Sequence, residues 1–332
     1  MKAERVHEIL RRFPALKILV LGDFFLDQYL MLDRDLSERS VETGLEAYQV
    51  TKIRNSPGAA GTVCNNLRAL DLSVIALGAI GKDGRGFDLM EALGARGVDT
   101  RLMIESDRIM TPTYTKPMLS GTNEPVHELE RLDIKNRKPL PAEIEASILA
   151  NIEAILPEID GILITDQVQE DGCGVMTERV RRKVAEIGGR HPEKSILVDS
   201  RLRTGQYEQV ILKCNLSEAL KTTGTETVEA AAAAFSRRNV RGSFITLGCG
   251  GIYVTQNGPG SIAPGIPVSG PIDICGAGDS AASGILSALC AGASWLEAAE
   301  IGNRVASITI RQLGTTGTAS REEVAAVNAT SE

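Results

Sequence analysis

Five short segments of the chain are apolar at nearly every position. In chain order they are KILVLG (17–22), LSVIALGAIG (72–81), GILITD (161–166), SILVDS (195–200) and SFITLG (243–248). A strand of a parallel sheet is covered on both faces, so its sequence is apolar throughout instead of alternating with polar residues. These segments therefore predict the buried strands of a parallel sheet.

Helical patterns separate the apolar segments. Residues 141–157 begin and end at proline and place isoleucine every three or four positions, which predicts a helix with one apolar stripe. Residues 174–188 predict a charged amphipathic helix that ends at Gly188-Gly189. Residues 277–291 predict a helix of small side chains.

The last predicted helix has a start signal at Ser294 and Glu297, which have the spacing of a capping box. It extends to about Leu313, before Gly314. Strands that alternate with helices in this way predict an α/β fold built on an open sheet. No internal repeat or long linker interrupts the pattern, so residues 1–332 are interpreted as one domain.

Two polar segments depart from this alternation. Residues 27–54 and residues 98–133 contain β-like stretches such as EAYQVTKI and TPTYTKPML, and neither segment can build a core alone. Paired as a small sheet, they would form a lid across the mouth of a site; the alternative is two surface loops. The exposed edge of such a lid invites pairing with the lid of a second copy, so a homodimer is expected.

Composition and charge restrict the class of protein. The chain has 43% hydrophobic and 24% charged residues, and its net charge of −7 argues against a nucleic-acid or anionic-membrane surface. No apolar run approaches the ~20 residues that a membrane span needs. The first ten residues, MKAERVHEIL, are too charged for a secretory signal. We therefore expect a cytoplasmic protein with no nucleic-acid or membrane partner.

Cysteine and histidine do not form a metal-binding pattern. The six cysteines are dispersed with no CxxC pair, and the three histidines lie far apart. A zinc site is therefore not expected, and the thiols are interpreted as reduced.

The segment PIDICGAGDS (271–280) is the strongest candidate for chemistry. Gly276, Ala277 and Gly278 let the backbone approach a ligand closely, and the start of a helix offers unpaired N–H groups to an anion. These amides could hold a phosphoryl group while Asp279 accepts a proton from an attacking hydroxyl. The alternative is an ordinary helix start, where an aspartate is favoured by the helix dipole.

Six motifs follow one another along the chain: GDFFLD (22–27), SPGAAGTVCNNLRALD (56–71), AIGKDGRG (79–86), NLSE (215–218), TLGCGG (246–251) and DICGAGD (273–279). Their order resembles that of the ribokinase-like, or PfkB, carbohydrate kinases over about residues 15–320. The branch most similar in its motifs is the kinase domain of the bacterial heptose 7-phosphate kinases, and ERLDI (130–134) and RQLGTTG (311–317) add to the likeness.

The resemblance implies a three-layer αβα open sheet with a small β lid. It also implies transfer of a phosphoryl group from ATP, with Mg²⁺, to a hydroxyl of a sugar or sugar phosphate. Heptose 7-phosphate is the first candidate acceptor, followed by a simple pentose, hexose or nucleoside. Asp279 resembles the family's general base, and Gly276, Ala277 and Gly278 resemble its anion hole.

On the sugar side, the resemblance assigns Asp27 to hydrogen bonds with sugar hydroxyls, assisted by Asp23. Gly58 matches a glycine that lets the substrate approach the backbone. Lys82 and Asp83 match an element near the sugar pocket. The alternatives are a solvated acid at the end of a strand for Asp27, a plain turn for Gly58, and a charged turn for the last two.

On the nucleotide side, Asn215 and Glu218 match an Asn-x-x-Glu element that organises Mg²⁺, with Glu218 acting through water. Asn303 matches a position beside the adenine, although helix capping or packing is an alternative. A further resemblance is to the family's nucleotide loop, at Thr246, Gly248 and Gly251.

The sequence departs from the family on the sugar side. Residues 58–62 read GAAGT where the family has Gly-Gly-Ala-Ala-Asn, so Thr62 replaces the asparagine that contacts the sugar, unless Asn65 or Asn66 substitutes for it. The loop DQVQEDG (166–172) replaces DYAKG, so a lysine that could meet a sugar phosphate is absent there.

Two other classes of protein were weighed against a kinase. A non-catalytic sugar- or nucleotide-binding protein with the same fold would explain the altered turn at residues 58–62. A dinucleotide-dependent dehydrogenase is disfavoured because no GxGxxG follows the first strand.

Overall fold

The computed structural model describes residues 1–122, 124–256 and 258–327. In chain order its strands are β1 (Lys17–Gly22), β2 (Phe24–Arg39), β3 (Glu46–Ala59), β4 (Ser73–Leu77), β5 (Ala79–Gly81), β6 (Ile104–Ser106), β7 (Thr113–Gly121), β8 (Glu124–Glu128), β9 (Leu132–Ile134), β10 (Gly161–Asp166), β11 (Ser195–Ser200), β12 (Ile211–Asn215), β13 (Gly242–Thr246), β14 (Ile252–Thr255) and β15 (Ser261–Ala263).

The α-helices follow in the same way: α1 (Ala3–Arg12), α2 (Ala60–Ala69), α3 (Gly84–Gly94), α4 (Ala142–Ile155), α5 (Glu178–Arg190), α6 (Leu216–Thr223), α7 (Val228–Ser236), α8 (Ala277–Cys290), α9 (Trp295–Thr309) and α10 (Arg321–Ala326). None of these helices is long and apolar enough to cross a membrane.

The larger sheet has the strand order β15-β14-β13-β12-β11-β10-β1-β4. Six neighbouring strands run parallel, namely β4, β1, β10, β11, β12 and β13. At the other edge, β14 pairs antiparallel with β13, and β15 pairs antiparallel with β14. The apolar segments of the sequence form buried strands of this sheet, as predicted, with β4 at its edge. The segment 72–81 divides at Gly78, after which β5 pairs with β6 in a separate two-stranded sheet.

Helices cover both faces of this sheet. On β1, Ile18 and Val20 belong to one apolar cluster, with side chains of α1, α2, α3, α8, α9 and α10. The alternate residues Leu19 and Leu21 belong to a second cluster, with side chains of α4, α5, α6 and α7. Successive strand residues point to opposite faces, so the two clusters lie on either side of the sheet. This three-layer arrangement confirms the predicted αβα fold.

Both predicted ends of helix α5 were wrong. Helix α5 begins at Glu178, not at residue 174, because the Thr177 hydroxyl caps it by accepting the Val180 N–H. It also continues through Gly188-Gly189 to Arg190, since a glycine lets the helix pass within contact of the Gln209 carbonyl.

The last long helix starts where it was predicted. The Ser294 and Glu297 side chains each bond the other's backbone N–H, which confirms the capping box. The helix ends at Thr309, however, before the predicted end at Leu313.

A second sheet of five strands has the order β3-β2-β7-β8, with β9 also pairing with β7. Strands β2 and β3 form a long antiparallel ribbon, and β7 runs parallel to β2. This sheet confirms the small β lid, and the alternative of two surface loops was wrong. The division of residues 1–332 into one domain with lid segments at about 27–54 and 98–133 stays a prediction.

Candidate active site

A cleft of about 1650 Å³, open to solvent, lies where the carboxyl ends of β11, β12 and β13 meet the second sheet and the start of α8. Ligands of open α/β sheets bind outside the carboxyl ends of the strands. The predicted residues that line this cleft are Asp27, Asn215, Glu218, Thr246, Gly248 and the segment 276–279.

The backbone turns sharply where α8 begins. Gly276 has a φ of +78°, in the left-handed region that favours glycine, and a Cβ there would lie 3.3 Å from the Thr316 side chain. Ser280 N–H donates the first helical bond to the Gly276 carbonyl. The N–H groups of Gly276, Gly278 and Asp279 have no partner among the described residues.

Ala277 differs from the prediction that made its amide part of an anion hole. Its N–H donates to the Ile274 carbonyl at 3.1 Å, in the turn that leads into the helix. The free N–H groups at this helix start therefore belong to Gly276, Gly278 and Asp279.

The Asp279 side chain lies half-buried in the cleft wall, and the pKa of its carboxyl is raised to about 7. Loss of water around the carboxylate is the main cause, and the nearby Asp199 adds to the rise. Lys213 and Arg201 act in the opposite direction. A carboxyl with a pKa near neutrality suits a general base.

Lys213 and Asp199 form a buried ion pair beside this carboxyl. Parallel strands β11 and β12 place the two residues directly opposite each other, and Lys213 Nζ lies 2.6 Å from Asp199 Oδ2. Burial favours a neutral amine, but Asp199 outweighs it and the pKa of Lys213 is raised. A Cβ on Gly278 would lie 2.8 Å from Lys213 Nζ, so a larger residue there would displace the ammonium from its present position.

Asp27 lies on β2, across the cleft, and Lys116 on the neighbouring strand β7 pairs with it at 3.3 Å. Burial raises the pKa of Asp27, and Lys116 opposes the rise. A Cβ on Gly58 would lie 2.6 Å from Asp27 Oδ2. Gly58 lies on β3 beside Asp27, and the absence of a side chain there leaves room for the carboxylate and keeps its oxygens accessible to a ligand.

Asn215 and Glu218 form a capping box at the start of α6. Asn215 Oδ1 accepts the Glu218 N–H, and Glu218 Oε2 accepts the Asn215 N–H, each at 2.9 Å. Burial raises the pKa of Glu218. The described residues contain no group of three or more His, Cys, Asp or Glu placed to hold a metal ion. The oxygen atoms of this element suit Mg²⁺, which keeps several of its waters.

The nucleotide-side residues divide into two groups. Thr246 and Gly248 line the cleft at the end of β13. Gly251 and Asn303 are not part of its lining: the Asn303 amide donates to the carbonyls of Ala263 and Pro264, each at 3.0 Å. Asn303 therefore has the packing role that was its alternative.

Asp23 does not face the cleft, contrary to the prediction. It is 3% exposed and accepts the backbone N–H groups of Gln167, Val168 and Val175, each at 2.8 Å. Burial, together with Asp166, raises the pKa of Asp23 to about 6. Its carboxylate holds the loop of residues 167–175.

Arg203 holds the same loop from the other side. Its guanidinium donates to Asp166 and to three carbonyls of the loop, those of Val168, Gln169 and Glu170. The loop that carries Gln167 into the cleft lining is therefore fixed between two buried charged side chains.

Asn66 also lies away from the sugar side of the cleft. It is 1% exposed, and its amide donates to the Thr62 carbonyl within α2. Thr62 itself lines the cleft. Asn66 lies one helical turn beyond Thr62 and is not part of the cleft lining, so the structure gives no support to its predicted contact with a sugar.

Lys82 and Asp83 also lie outside the cleft lining. Asp83 caps α3 by accepting the Gly86 N–H and also accepts the Thr111 N–H. The charged-turn alternative fits this pair.

Besides Lys213, three cations line the cleft at positions that the sequence did not predict: Lys116, Arg131 and Arg201. Arg131 pairs with Asp133 and lies over the Tyr114 ring. The Arg201 guanidinium has no hydrogen bond or ion pair among the described residues. In the sequence, a cation for a sugar phosphate was expected in the loop 166–172, whereas these three residues lie on β7, just before β9 and just after β11.

The sequence pattern described as pfkB family carbohydrate kinase matches residues 17–322. The bifunctional protein HldE of Desulfatibacillum aliphaticivorans is 28% identical over 326 residues, 95% of this chain and 64% of that protein. The HldE of Caulobacter vibrioides is 29% identical over 92% of this chain and 62% of that protein. The chain thus spans less than two thirds of the length of these relatives.

Solved structures share the fold. A ribokinase of Arabidopsis thaliana, complexed with ribose and ATP, superposes with a TM-score of 0.67 at 18% identity, covering 94% of this chain and 99% of that chain. A PfkB protein from Polaromonas sp. JS666 superposes with a TM-score of 0.65 at 19% identity, covering 94% of this chain and all 100% of that chain.

Proposed function

Because the chain belongs to the pfkB family of carbohydrate kinases, we propose that it transfers the γ-phosphoryl group of ATP to a hydroxyl of a sugar or sugar phosphate. The observation that carries this proposal is the half-buried Asp279 carboxyl of raised pKa, which lies in a cleft beside free backbone N–H groups. Family membership favours this activity over that of a non-catalytic binding protein.

Asp279 is proposed as the general base. Its carboxylate takes the proton from the acceptor hydroxyl as the new O–P bond forms and the bond from the γ-phosphorus to the bridging oxygen of ATP breaks. The N–H groups of Gly276, Gly278 and Asp279 hold the negative charge of the transferring group. ADP leaves with the electron pair of the broken bond on its terminal phosphate oxygen.

Thr246 and Gly248 are proposed to contact the nucleotide, and Glu218 and Asn215 to organise Mg²⁺ through water. Mg²⁺ supplies charge neutralisation of the ATP phosphates. Asn215 and Glu218 fit this role because their oxygen atoms lie at the cleft surface as part of a rigid capping box.

The acceptor is proposed to be a sugar that already carries a phosphate, with heptose 7-phosphate as the first candidate. Asp27 would accept hydrogen bonds from sugar hydroxyls, as the motif resemblance implies. The support for a phosphate is the set of cations at that end of the cleft, of which Arg201 has no partner among the described residues. Guanidinium groups bind phosphate oxygens through paired hydrogen bonds.

The second sheet is proposed to close over the acceptor and to form a homodimer. A kinase must exclude water from the transferring group, or ATP is hydrolysed instead. Large apolar side chains are exposed on this sheet, among them Ile53 at 56% and Leu132 at 65%. A second copy would cover them.

The test is an ADP-release assay over matched phosphorylated and unphosphorylated pentoses, hexoses and heptoses. We expect sugar-dependent ADP release, fastest with a sugar phosphate. An Asp279→Asn variant should lose roughly 10²–10⁴-fold in rate, while Asp107→Asn, at an exposed position, should retain it. Equal rates for Asp279→Asn and wild type would exclude Asp279 as the base.

A further inference from the structure

Lys213 is a charged residue inside an otherwise apolar strand. It is 4% exposed, and its neighbours on β12, Leu212 and Cys214, are fully buried. Taking an ammonium group out of water is costly, and a hydrophobic residue of similar size is often as stable in such a place. The position of this cation therefore calls for an explanation beyond packing.

The ammonium group has spare hydrogen-bonding capacity. It carries three N–H donors, and one of them binds Asp199 Oδ2. Its other two donors have no acceptor among the described residues, although Lys213 lines the cleft. Buried donors are normally paired, so the two free ones point to a ligand that supplies the acceptors.

The place of Nζ identifies the chemistry of that ligand. It lies within contact distance of Gly278, whose own N–H is free at the start of α8. A cation and a helix N-terminus that converge on one point of a cleft make a site for an anion.

We propose that Lys213 is a catalytic residue that donates hydrogen bonds to the phosphoryl group during its transfer, and that Asp199 is the positioning residue that holds the ammonium beside Gly278. This inference rests on the proposed function. As the bond between the γ-phosphorus and the bridging oxygen breaks, negative charge spreads over the phosphoryl oxygens and the leaving ADP. Lys213 neutralises this charge, while the proton of the acceptor goes to Asp279.

A purely structural ion pair is the alternative, and a double variant separates the two. Lys213→Met leaves Asp199 buried without a partner, so its loss of activity could reflect poor folding. Lys213→Met combined with Asp199→Asn removes both charges and keeps the shapes. A structural role predicts that the double variant regains stability and activity together. A catalytic role predicts that it regains stability alone.

For the kinetics, we expect both variants that carry Lys213→Met to lose roughly 10²–10³-fold in kcat, the range for removing one transition-state donor. The KM for the sugar should stay within about threefold of wild type, because the sugar is bound at Asp27. Lys183→Met, which removes a lysine paired with Glu153 and Glu186 outside the cleft, should retain wild-type kcat and KM. A double variant with wild-type kcat would overturn the proposal.

The pH profile gives a second readout. The charged groups that face Asp279 are Asp199 on β11, Lys213 on β12, Arg201 after β11 and Asp27 on β2. Lys213→Met should therefore move the acid limb of kcat/KM to higher pH, and Asp199→Asn should move it to lower pH. An acid limb that stays in place in both variants would contradict the placement of this pair beside Asp279.

Binding separates this proposal from the proposed function. In wild type, aluminium fluoride, a mimic of the transferring group, should tighten binding of MgADP in the presence of the sugar, as measured by calorimetry. In the double variant, MgADP alone should bind within about threefold of wild type, and the tightening should fall at least tenfold. If wild type shows neither ADP release nor this tightening, the proposed function fails; if wild type shows both and the double variant matches it, only the role of Lys213 fails.

Discussion

At the scale of single residues, the cleft keeps two carboxylates close together at the point of chemistry. Asp199 raises the pKa of Asp279, and the buried Lys213, which pairs with Asp199, opposes this rise. The environment thus raises the pKa of Asp279 while Asp199 stays paired with a cation. The raised pKa makes the Asp279 carboxylate a stronger base. Because its charge is disfavoured in the folded state, the same arrangement also costs the protein stability.

The first prediction concerns the pH dependence of activity. Asp279 must be ionised to accept a proton, so kcat/KM should rise with pH through an acid limb at about 7. The measurement is a rate profile from pH 5 to 9 at saturating MgATP. An acid limb near pH 4, the range of an ordinary carboxyl, would contradict this assignment.

The second prediction concerns stability at the same residue. An acid whose pKa is raised on folding costs no stability below its unfolded value, 3.8, and costs most above its folded value, about 7. Asp279→Asn should therefore raise the free energy of unfolding at pH 8, by at most about 4 kcal/mol. Urea unfolding at pH 8 and pH 4 measures this. A gain of equal size at both pH values would exclude charge burial as the cause.

Asp23 supports the third prediction. Its carboxylate accepts three backbone N–H groups from the loop 167–175, and an amide would turn its NH₂ group against one or two of these donors. Asp23→Asn should lower the free energy of unfolding by about 1–3 kcal/mol. Limited proteolysis should cut the variant within the loop. The exposed Asp107→Asn serves as its control, and equal stability of the two variants would contradict the anchoring role.

Residues of the candidate site differ in how far the sequence could predict them. Asp279 and Gly276 belong to a local motif whose order along the chain is visible in the sequence. Lys213 and Asp199 are 14 positions apart, and only the parallel register of β11 and β12 brings them together. In the sequence, the signal for this pair is a lysine and an aspartate, each within an otherwise apolar strand.

At the scale of elements, the Asn215–Glu218 capping box joins a structural role to the proposed Mg²⁺ role. The box fixes the start of α6 and directs Glu218 into the cleft wall. Since glutamine can replace glutamate in such a box, the charge can be removed without losing the cap.

The fourth prediction uses this property. Glu218→Gln should keep the melting temperature of wild type and raise the Mg²⁺ concentration for half-maximal rate by roughly 10-fold. Glu323→Gln, the same substitution in the capping box of α10, is the matched control and should leave the Mg²⁺ requirement unchanged. Two variants with identical Mg²⁺ titrations would exclude a role for the Glu218 charge.

Elements were predictable where local pattern decides them. The apolar segments 161–166 and 195–200 became strands with the predicted bounds, because burial on both faces leaves no polar positions to confuse the pattern. Helix α5 was predicted with wrong ends, because tertiary contact with Gln209 decides whether Gly188 stops a helix. Sequence alone does not contain that contact.

At the scale of the whole molecule, the first passage of the chain from the larger sheet to the second sheet is one residue long. Strand β1 ends at Gly22 and β2 begins at Phe24, so Asp27 is carried from the core sheet directly to the cleft. Strands β2 and β3 then form a long ribbon, on which Leu36, Val50 and Ile53 are exposed.

The fifth prediction concerns assembly through this ribbon. Light scattering should give twice the chain mass of 35.4 kDa. Ile53→Lys, which places a charge on β3, should shift the protein to monomer and lower its activity. Ile262→Lys, at a similarly exposed position on β15, should leave the mass unchanged. A monomeric wild type at micromolar concentration would contradict the homodimer.

The loop of residues 167–175 is clamped by Asp23 and Arg203, and neither residue belongs to the loop itself. Its path is consequently independent of most of its own side chains. Exchanges at Gln167, which faces the cleft, can alter acceptor preference without reshaping the wall. We therefore expect substitutions in this loop, whether natural or from a randomised library, to change which sugar the protein prefers.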